Sequence, residues 1–275
     1  MQLFWFFILR QKLSLIQAKI ITSNSILLFR CKIIRIFKCY LIIVLINIDM
    51  KNITLLLASF AIMNFAMAQN KIFVANGEQF EMVLVGGGRF AKGDPAAPEN
   101  AVVGSFYIGQ TEVTQNLWKA VMGKKSSSMS RSKTYPADQI SWADCQEFIS
   151  KLNQITGAKF RMPTETEWEF AARGGNMTHN YKLSGGAAMG KIGWYNGNSN
   201  GESHPVAAKT ANELGIFDMS GNLWEWCADD YGNGMHPMRG GCWSSTSQAC
   251  WVWNVAKSES SYKSDICGLR LALDL

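Results

Sequence analysis

The sequence predicts an α+β domain with much irregular structure, and three observations carry that prediction. Phe80-Glu81-Met82-Val83-Leu84-Val85 has the apolar density of a strand and is stopped by Gly86-Gly87-Gly88. Two capped helical segments open at Ser141 and at Thr164. From Asn176 onward the chain is rich in Gly, Asn and Ser with scattered aromatics, and no further long helical pattern occurs.

Taken in order, the strand at Phe80 is followed by a second short strand over Ser105–Ile108. That strand leads into a helix for which Thr114 is the N-cap and Leu117, Trp118 and Val121 the inward stripe. Residues Lys124 to Lys133 form a Ser- and Lys-rich loop. Ser141 then accepts from first-turn amides, with acidic Asp144 near the positive helix end. Trp142, Cys145, Phe148 or Ile149, Leu152 and Ile155 recur at helical spacing until Gly157 ends the segment. Thr164 and Glu167 make a capping box for a short helix through Trp168, Phe170, Ala171 and Ala172, which stops at Gly174-Gly175.

The first 68 residues are expected to lie outside this domain. Leu41 to Ile46 is apolar but too short to span a bilayer as a helix, which takes roughly 20 residues. Met50 restarts the chain as a signal peptide does: Lys51 gives a positive start, Ile53 to Phe65 an apolar core, and Ala66-Met67-Ala68 a cleavage site before Gln69. Residues 1–49 are therefore read as over-extended translation, 50–68 as the signal peptide and 70–275 as the domain. A membrane anchor within residues 1–68 is the other reading. The basic excess of the chain also resides in this leader, in Arg10, Lys12, Lys19, Arg30, Lys32, Arg35, Lys38 and Lys51. The remainder is close to neutral, so no basic footprint for nucleic acid is expected, nor a stable membrane span in the mature chain. All but Trp5 of the 10 Trp lie beyond the leader, where such rings usually serve packing. Cysteine usage fits an exported protein that is periplasmic, at the cell surface or secreted. Cys145, Cys227, Cys242, Cys250 and Cys267 remain after the leader, an odd number, and Cys145 on its helical stripe is the candidate for the thiol left over.

Longer motifs add to this reading. They are Phe106-Tyr107-Ile108-Gly109-Gln110-Thr111-Glu112-Val113-Thr114, the segment Phe160 to Gly175, Gly215-Ile216-Phe217-Asp218-Met219-Ser220-Gly221-Asn222-Leu223-Trp224-Glu225-Trp226, Arg239-Gly240-Gly241, and Gly268-Leu269-Arg270-Leu271. In this order, and across essentially the whole mature chain, they resemble the formylglycine-generating enzyme family, also called the sulfatase-modifying factor domain. The resemblance implies a compact C-type-lectin-like α+β fold.

It also implies chemistry that this chain departs from. Enzymes of the family oxidise a sulfatase cysteine to formylglycine with O₂ and a copper ion held by two thiolates just beyond Arg-Gly-Gly. The matching positions here hold Ser245 and Cys250, while Cys242 stands where the family has Ser. A serine hydroxyl is a hard donor, protonated at neutral pH, and does not replace a thiolate on copper. Cys250 is thus a catalytic candidate without its partner, and copper is not expected. Relatives with a Cys after Trp-Glu-Trp tend to carry another at the Cys250 position, so the resemblance implies a Cys227–Cys250 disulfide; Cys242–Cys267 is a second expected pair. It further implies a calcium site from Asp218, the carbonyls of Gly221 and Leu223, and Glu225, all hard oxygen donors. An ionic reading of the same residues stays open, in which Glu225 pairs with an Arg and Asp218 caps a turn. His179, His204 and His236 lack metal-ligand spacing and read as surface or structural, and no Ser–His–Asp signature occurs.

The tract from Cys242 to Asp265 departs most from the family. Trp243, Trp251, Trp253 and Tyr262 among small polar residues resemble the make-up of a paratope, and the tract is similar to the changeable surface of variable proteins from diversity-generating retroelements. The alternative is that Trp251 and Trp253 are half-buried strand residues alternating with Val252. Three functions follow: a non-oxidising exported module that binds a protein or glycan or serves a structural role, an oxidase acting on sulfatases, and a ligand-display variable protein.

Overall fold

The computed structural model describes residues 70–126 and 134–275. The expected leader (1–49), the signal peptide (50–68) and the larger part of the Lys124–Lys133 loop lie outside the described residues. In chain order the first half holds β1 (Lys71–Ala75), β2 (Glu78–Val85), β3 (Gly88–Lys92), β4 (Glu99–Val103) and β5 (Phe106–Gly109). The helices α1 (Gln115–Met122) and α2 (Trp142–Thr156) follow, then β6 (Phe160–Arg161) and α3 (Glu165–Ala172). After the one-turn helix α4 (Met189–Ile192) come β7 (Trp224–Trp226), β8 (Met235–Arg239), β9 (Val255–Glu259), β10 (Cys267–Gly268) and β11 (Ala272–Asp274).

Among the described residues these strands make three sheets. A 5-stranded sheet runs β1-β2-β5-β11-β6, a 4-stranded one β10-β7-β8-β9, and β3 pairs with β4. The hairpin of β1 and β2 turns at Asn76-Gly77, both with positive φ (47° and 87°). A two-residue turn of that hand matches the twist of the strands it joins, and Asn-Gly is the pair that tolerates it.

The central sheet is covered on both faces, which the period-two alternation of its strands shows directly. Met82 on β2, Tyr107 on β5 and Leu273 on β11 face a cluster with Trp118, Phe148 and Leu152 of α1 and α2. Val83, Val85, Phe106, Ile108 and Ala272 face a second cluster with Trp168, Phe170 and Ala171 of α3. Burial of both faces explains why these strands read as near-continuous apolar runs.

The helix starts follow the sequence. Thr114 accepts from the Leu117 amide at 3.2 Å, and Ser141 with Asp144 and Thr164 with Glu167 both close reciprocal capping boxes. Gly123 and Gly157 end α1 and α2 with positive φ, as glycine C-caps do. On α2, Phe148 and Ile149 are both buried, whereas Ile155 in the last turn is 39% exposed and drops off the expected stripe. Trp251 and Trp253 lie in a turn segment rather than on a strand. No helix of the described residues is long and apolar enough to cross a membrane.

Candidate functional site

Beneath the second sheet lies an ionic core. Pairing of β7 with β10 sets Glu225 opposite Gly268, two residues before Arg270. Both side chains are wholly buried, and Arg270 clasps Glu225 through Nη2 to Oε1 at 2.6 Å and Nε to Oε2 at 2.8 Å. Trp168 Nε1 donates to the same Oε2 at 2.6 Å, and Arg270 donates onward to the carbonyls of Gly109 and Phe217. A buried carboxylate is tolerated only when paired and hydrogen-bonded, and here every donor is in place. A second buried network adjoins it. Arg239 Nη2 meets Glu169 at 3.1 Å, Arg173 holds the other oxygen of Glu169, and Tyr231 donates to Glu165.

Two further carboxylates complete the core. Glu112 accepts from Asn222 Nδ2 at 2.7 Å and from the Leu223 amide at 3.1 Å. Burial first, then the charges of Asp218 and Glu225, hold its carboxyl well above the usual range. Asp218 accepts from the Ala207 amide through Oδ2 at 2.7 Å, while its Oδ1 is buried without a hydrogen-bond partner. Burial pushes the Asp218 carboxyl up to about 6. Three carboxyl groups thus adjoin one guanidinium, a deficit of positive charge reflected in the raised carboxyls of Glu112 and Asp218.

That deficit bears on calcium. Among the described residues no three His, Cys, Asp or Glu side chains converge as ligands on one point. The expected set needs only two carboxylates with two carbonyls, and the turn from Asp218 to Asn222 curls through positive φ at Asp218 (61°), Gly221 (90°) and Asn222 (62°). Of the expected donors, Asp218 Oδ1 has no hydrogen-bond partner, whereas both oxygens of Glu225 are already held by Arg270 and Trp168. Glu225 also takes the ionic role that the sequence left open, paired with Arg270.

The second candidate region begins where β8 ends. Cys242 N donates to Ser245 Oγ at 3.0 Å, and Ser245 N to the Cys242 carbonyl at 2.9 Å, so the two residues close one tight turn. Cys242 Sγ stands 3.2 Å from both Ser244 Oγ and Ser245 Oγ. Cys250 is wholly buried, its carbonyl accepts from Ser220 Oγ at 3.0 Å, and burial followed by the nearby Cys242 sulfur pushes its thiol up to about 12.

The cysteines are thiols in this structure. Cys145, Cys227, Cys242, Cys250 and Cys267 are all free and buried in the structure, so neither Cys227–Cys250 nor Cys242–Cys267 is formed in it. Cys227 packs in the cluster around Trp168 with its Sγ 3.8 Å from the Glu225 carbonyl, whereas Cys250 packs with Leu183, Met189 and Ile192. Cys267 points its Sγ at Met238 Sδ, 3.5 Å away.

The expected aromatic surface splits in two. Trp251 and Trp253 are half-buried neighbours with ring centroids 5.0 Å apart. Lys182 Nζ lies 4.7 Å from the Trp251 ring centroid and the Arg173 guanidinium 5.6 Å from that of Trp253, distances at which a cation is attracted to the ring face. Trp243 instead donates through Nε1 to the Asp265 carbonyl at 3.1 Å, and Tyr262 is 39% exposed on the segment between β9 and β10. His204 stacks on Trp194 and His236 on Trp142, while His179 is exposed beside Glu213, so the three histidines hold structural or surface places. A separate cavity of about 300 Å³ opens by Gln110, Thr111, Glu112 and Val206, away from Cys250.

Sequence reasoning missed Glu112 as a member of the ionic core, although it stands inside a quoted motif. It also missed the meeting of Cys242 with Ser245, for which a three-residue spacing was the available signal.

Comparison with known proteins places this geometry. The chain is 29% identical to the chaperone protein LppX of Paenibacillus barcinonensis over 242 residues, 69% of this chain and 85% of that one. It is 30% identical to the formylglycine-generating enzyme of Thermomonospora curvata over 169 residues, 57% of this chain and 52% of the enzyme. Treponema denticola variable protein 1 superposes with a TM-score of 0.68 at 24% identity, covering 75% of this chain and 99% of that chain. The fold is the C-type-lectin-like α+β one. Residues 68–275 match the model of the sulfatase-modifying factor enzyme 1-like domain, and the chain belongs to that family.

Proposed function

We propose that this is an exported family member that does not generate formylglycine and acts instead as a binding module for a protein or glycan. One observation carries the reading. At the position where the resemblance asks for the second thiolate stands Ser245, whose hydroxyl accepts from the Cys242 amide inside a tight turn. A hydroxyl so placed is neither soft nor ionised at neutral pH, which leaves Cys250 without the partner that copper chemistry needs.

The binding face would be the ground around Trp251 and Trp253. Large rings with cations over them, half-open to solvent and flanked by Ser and Asn, supply contact area at low entropic cost. The relative LppX is a chaperone by name, which supports a family role exercised through binding a protein. Export rests on the signal-peptide pattern of residues 50–68. A Ca²⁺ ion taken by Asp218 Oδ1 and the carbonyls of Gly221 and Leu223, beside the Glu225–Arg270 pair, would serve the frame by neutralising Asp218.

Glycan and peptide arrays probed with the protein and with a Trp251→Ala/Trp253→Ala double variant test the face. The expected result is a set of ligands lost in the variant while its circular dichroism is unchanged. Equal binding by both proteins, or none by either, would count against it.

A further inference from the structure

We propose that Cys242 and Cys250 are a redox-active dithiol, oxidised by peroxide to a reversible disulfide. The backbone brings them together. After β8, Ser245 N bonds to the Cys242 carbonyl, Cys250 N to Ser247 O and Trp251 N to Gln248 O, successive turns that fold the tract back on its start. The return is so close that a Cβ on Gly241 would lie 2.5 Å from Cys250 Sγ and 3.0 Å from its Cα. Gly241 also has a φ of 76°, so only glycine admits Cys250 against the residue that precedes Cys242.

The two sulfurs are not equivalent. Cys242 Sγ has two hydroxyls within 3.2 Å, from Ser244 and Ser245, which can donate to a thiolate. Cys250 Sγ is set among Leu183, Met189 and Ile192. Cys242 is therefore the attacking sulfur and Cys250 the resolving one. Cys227 lies against the Glu225 carbonyl and Cys145 in the α1–α2 cluster, while Cys267, whose Sγ faces Met238 Sδ, also neighbours Cys242 and is the competing partner. Ser244, Thr246 and Gln248 of the same tract are exposed while both cysteines are buried, so the oxidant must be small.

In the first step Cys242 gives up its proton and its thiolate attacks one peroxide oxygen. The O–O bond breaks, the sulfur is oxidised by two electrons to a sulfenic acid, and the departing hydroxide takes the proton to become water. In the second, Cys250 sulfur attacks the sulfenic sulfur. The S–S bond forms, the S–O bond breaks, and the hydroxyl leaves with the Cys250 proton as a second water. One peroxide is reduced, and both thiols are oxidised.

Trypsin cleaves after Arg239 and Lys257, so one peptide, Gly240–Lys257, carries both sulfurs. The full chain, treated with hydrogen peroxide, alkylated and digested, should yield this peptide unalkylated and lighter by two hydrogens, reverting with dithiothreitol. In a Cys250→Ala variant the first step should stop at Cys242, giving a dimedone adduct there. Two alkyl groups on the wild-type peptide after peroxide, a bond from either residue to Cys227 or Cys267, or no dimedone adduct at Cys242 in the variant would overturn the proposal.

Discussion

The ionic core under β7 and the turn tract beyond β8 use the same kinds of side chain in opposite ways. In the core, the Trp168 indole donates through its nitrogen to Glu225, and Arg270 meets that carboxylate edge-on with two parallel bonds. Nothing of Glu225, Arg270 or Trp168 is exposed. In the tract, Trp251 and Trp253 offer ring faces to Lys182 and Arg173 and stay half-open. Directional bonds in a buried site specify one arrangement, whereas ring-face contacts at a surface leave area for something else to cover. The first region thus fixes the frame, and the second leaves the surface on which the proposed binding rests.

Breaking the frame should have the largest effect. Arg270→Met leaves Glu225 buried beside Glu112 and Asp218 with no cation, and removing one partner of such a pair costs about 3–5 kcal/mol. A urea midpoint lowered by the corresponding amount is expected, and an unchanged midpoint would mean that the core carries less than its geometry implies. Calcium comes next. Chelation should lower the thermal midpoint, and Ca²⁺ at a hundredfold excess over its dissociation constant should restore about 2.7 kcal/mol. A midpoint indifferent to chelator and calcium would assign Asp218 to its turn alone. The smallest effect concerns the α3 cap. Thr164→Ala removes the acceptor for the Glu167 amide and should cost about 1 kcal/mol, with no loss at the Trp251–Trp253 face.

The helices were legible because their signals are local. Thr164 and Glu167 close their box as read, and Ser141 caps as read, with Asp144, expected only to favour the positive helix end, completing a second box. The β1–β2 hairpin was equally local in its Asn76-Gly77 turn, yet its first strand is short and half-exposed and passed without notice. Other strands were hidden by composition. β8 contains Pro237, which argues against a strand until it is seen paired with Lys257, and β9 is polar. At the site, the match of Ser245 to a thiolate position was visible from motif spacing. The clasp of Glu225 by Arg270 spans 45 residues, and sequence could only leave it open. The expected cysteine pairings rested on spacing, which does not say that Cys227 and Cys250 sit in different clusters of the core.

The most direct measurement of the account is conversion of a cysteine-containing sulfatase peptide, followed by mass spectrometry with copper and O₂ supplied. No formylglycine is expected from this protein, while Ser245→Cys, which places a thiol at the second ligand position, is the variant for comparison. Formylglycine produced by the unaltered chain and abolished by Cys250→Ser would contradict the account.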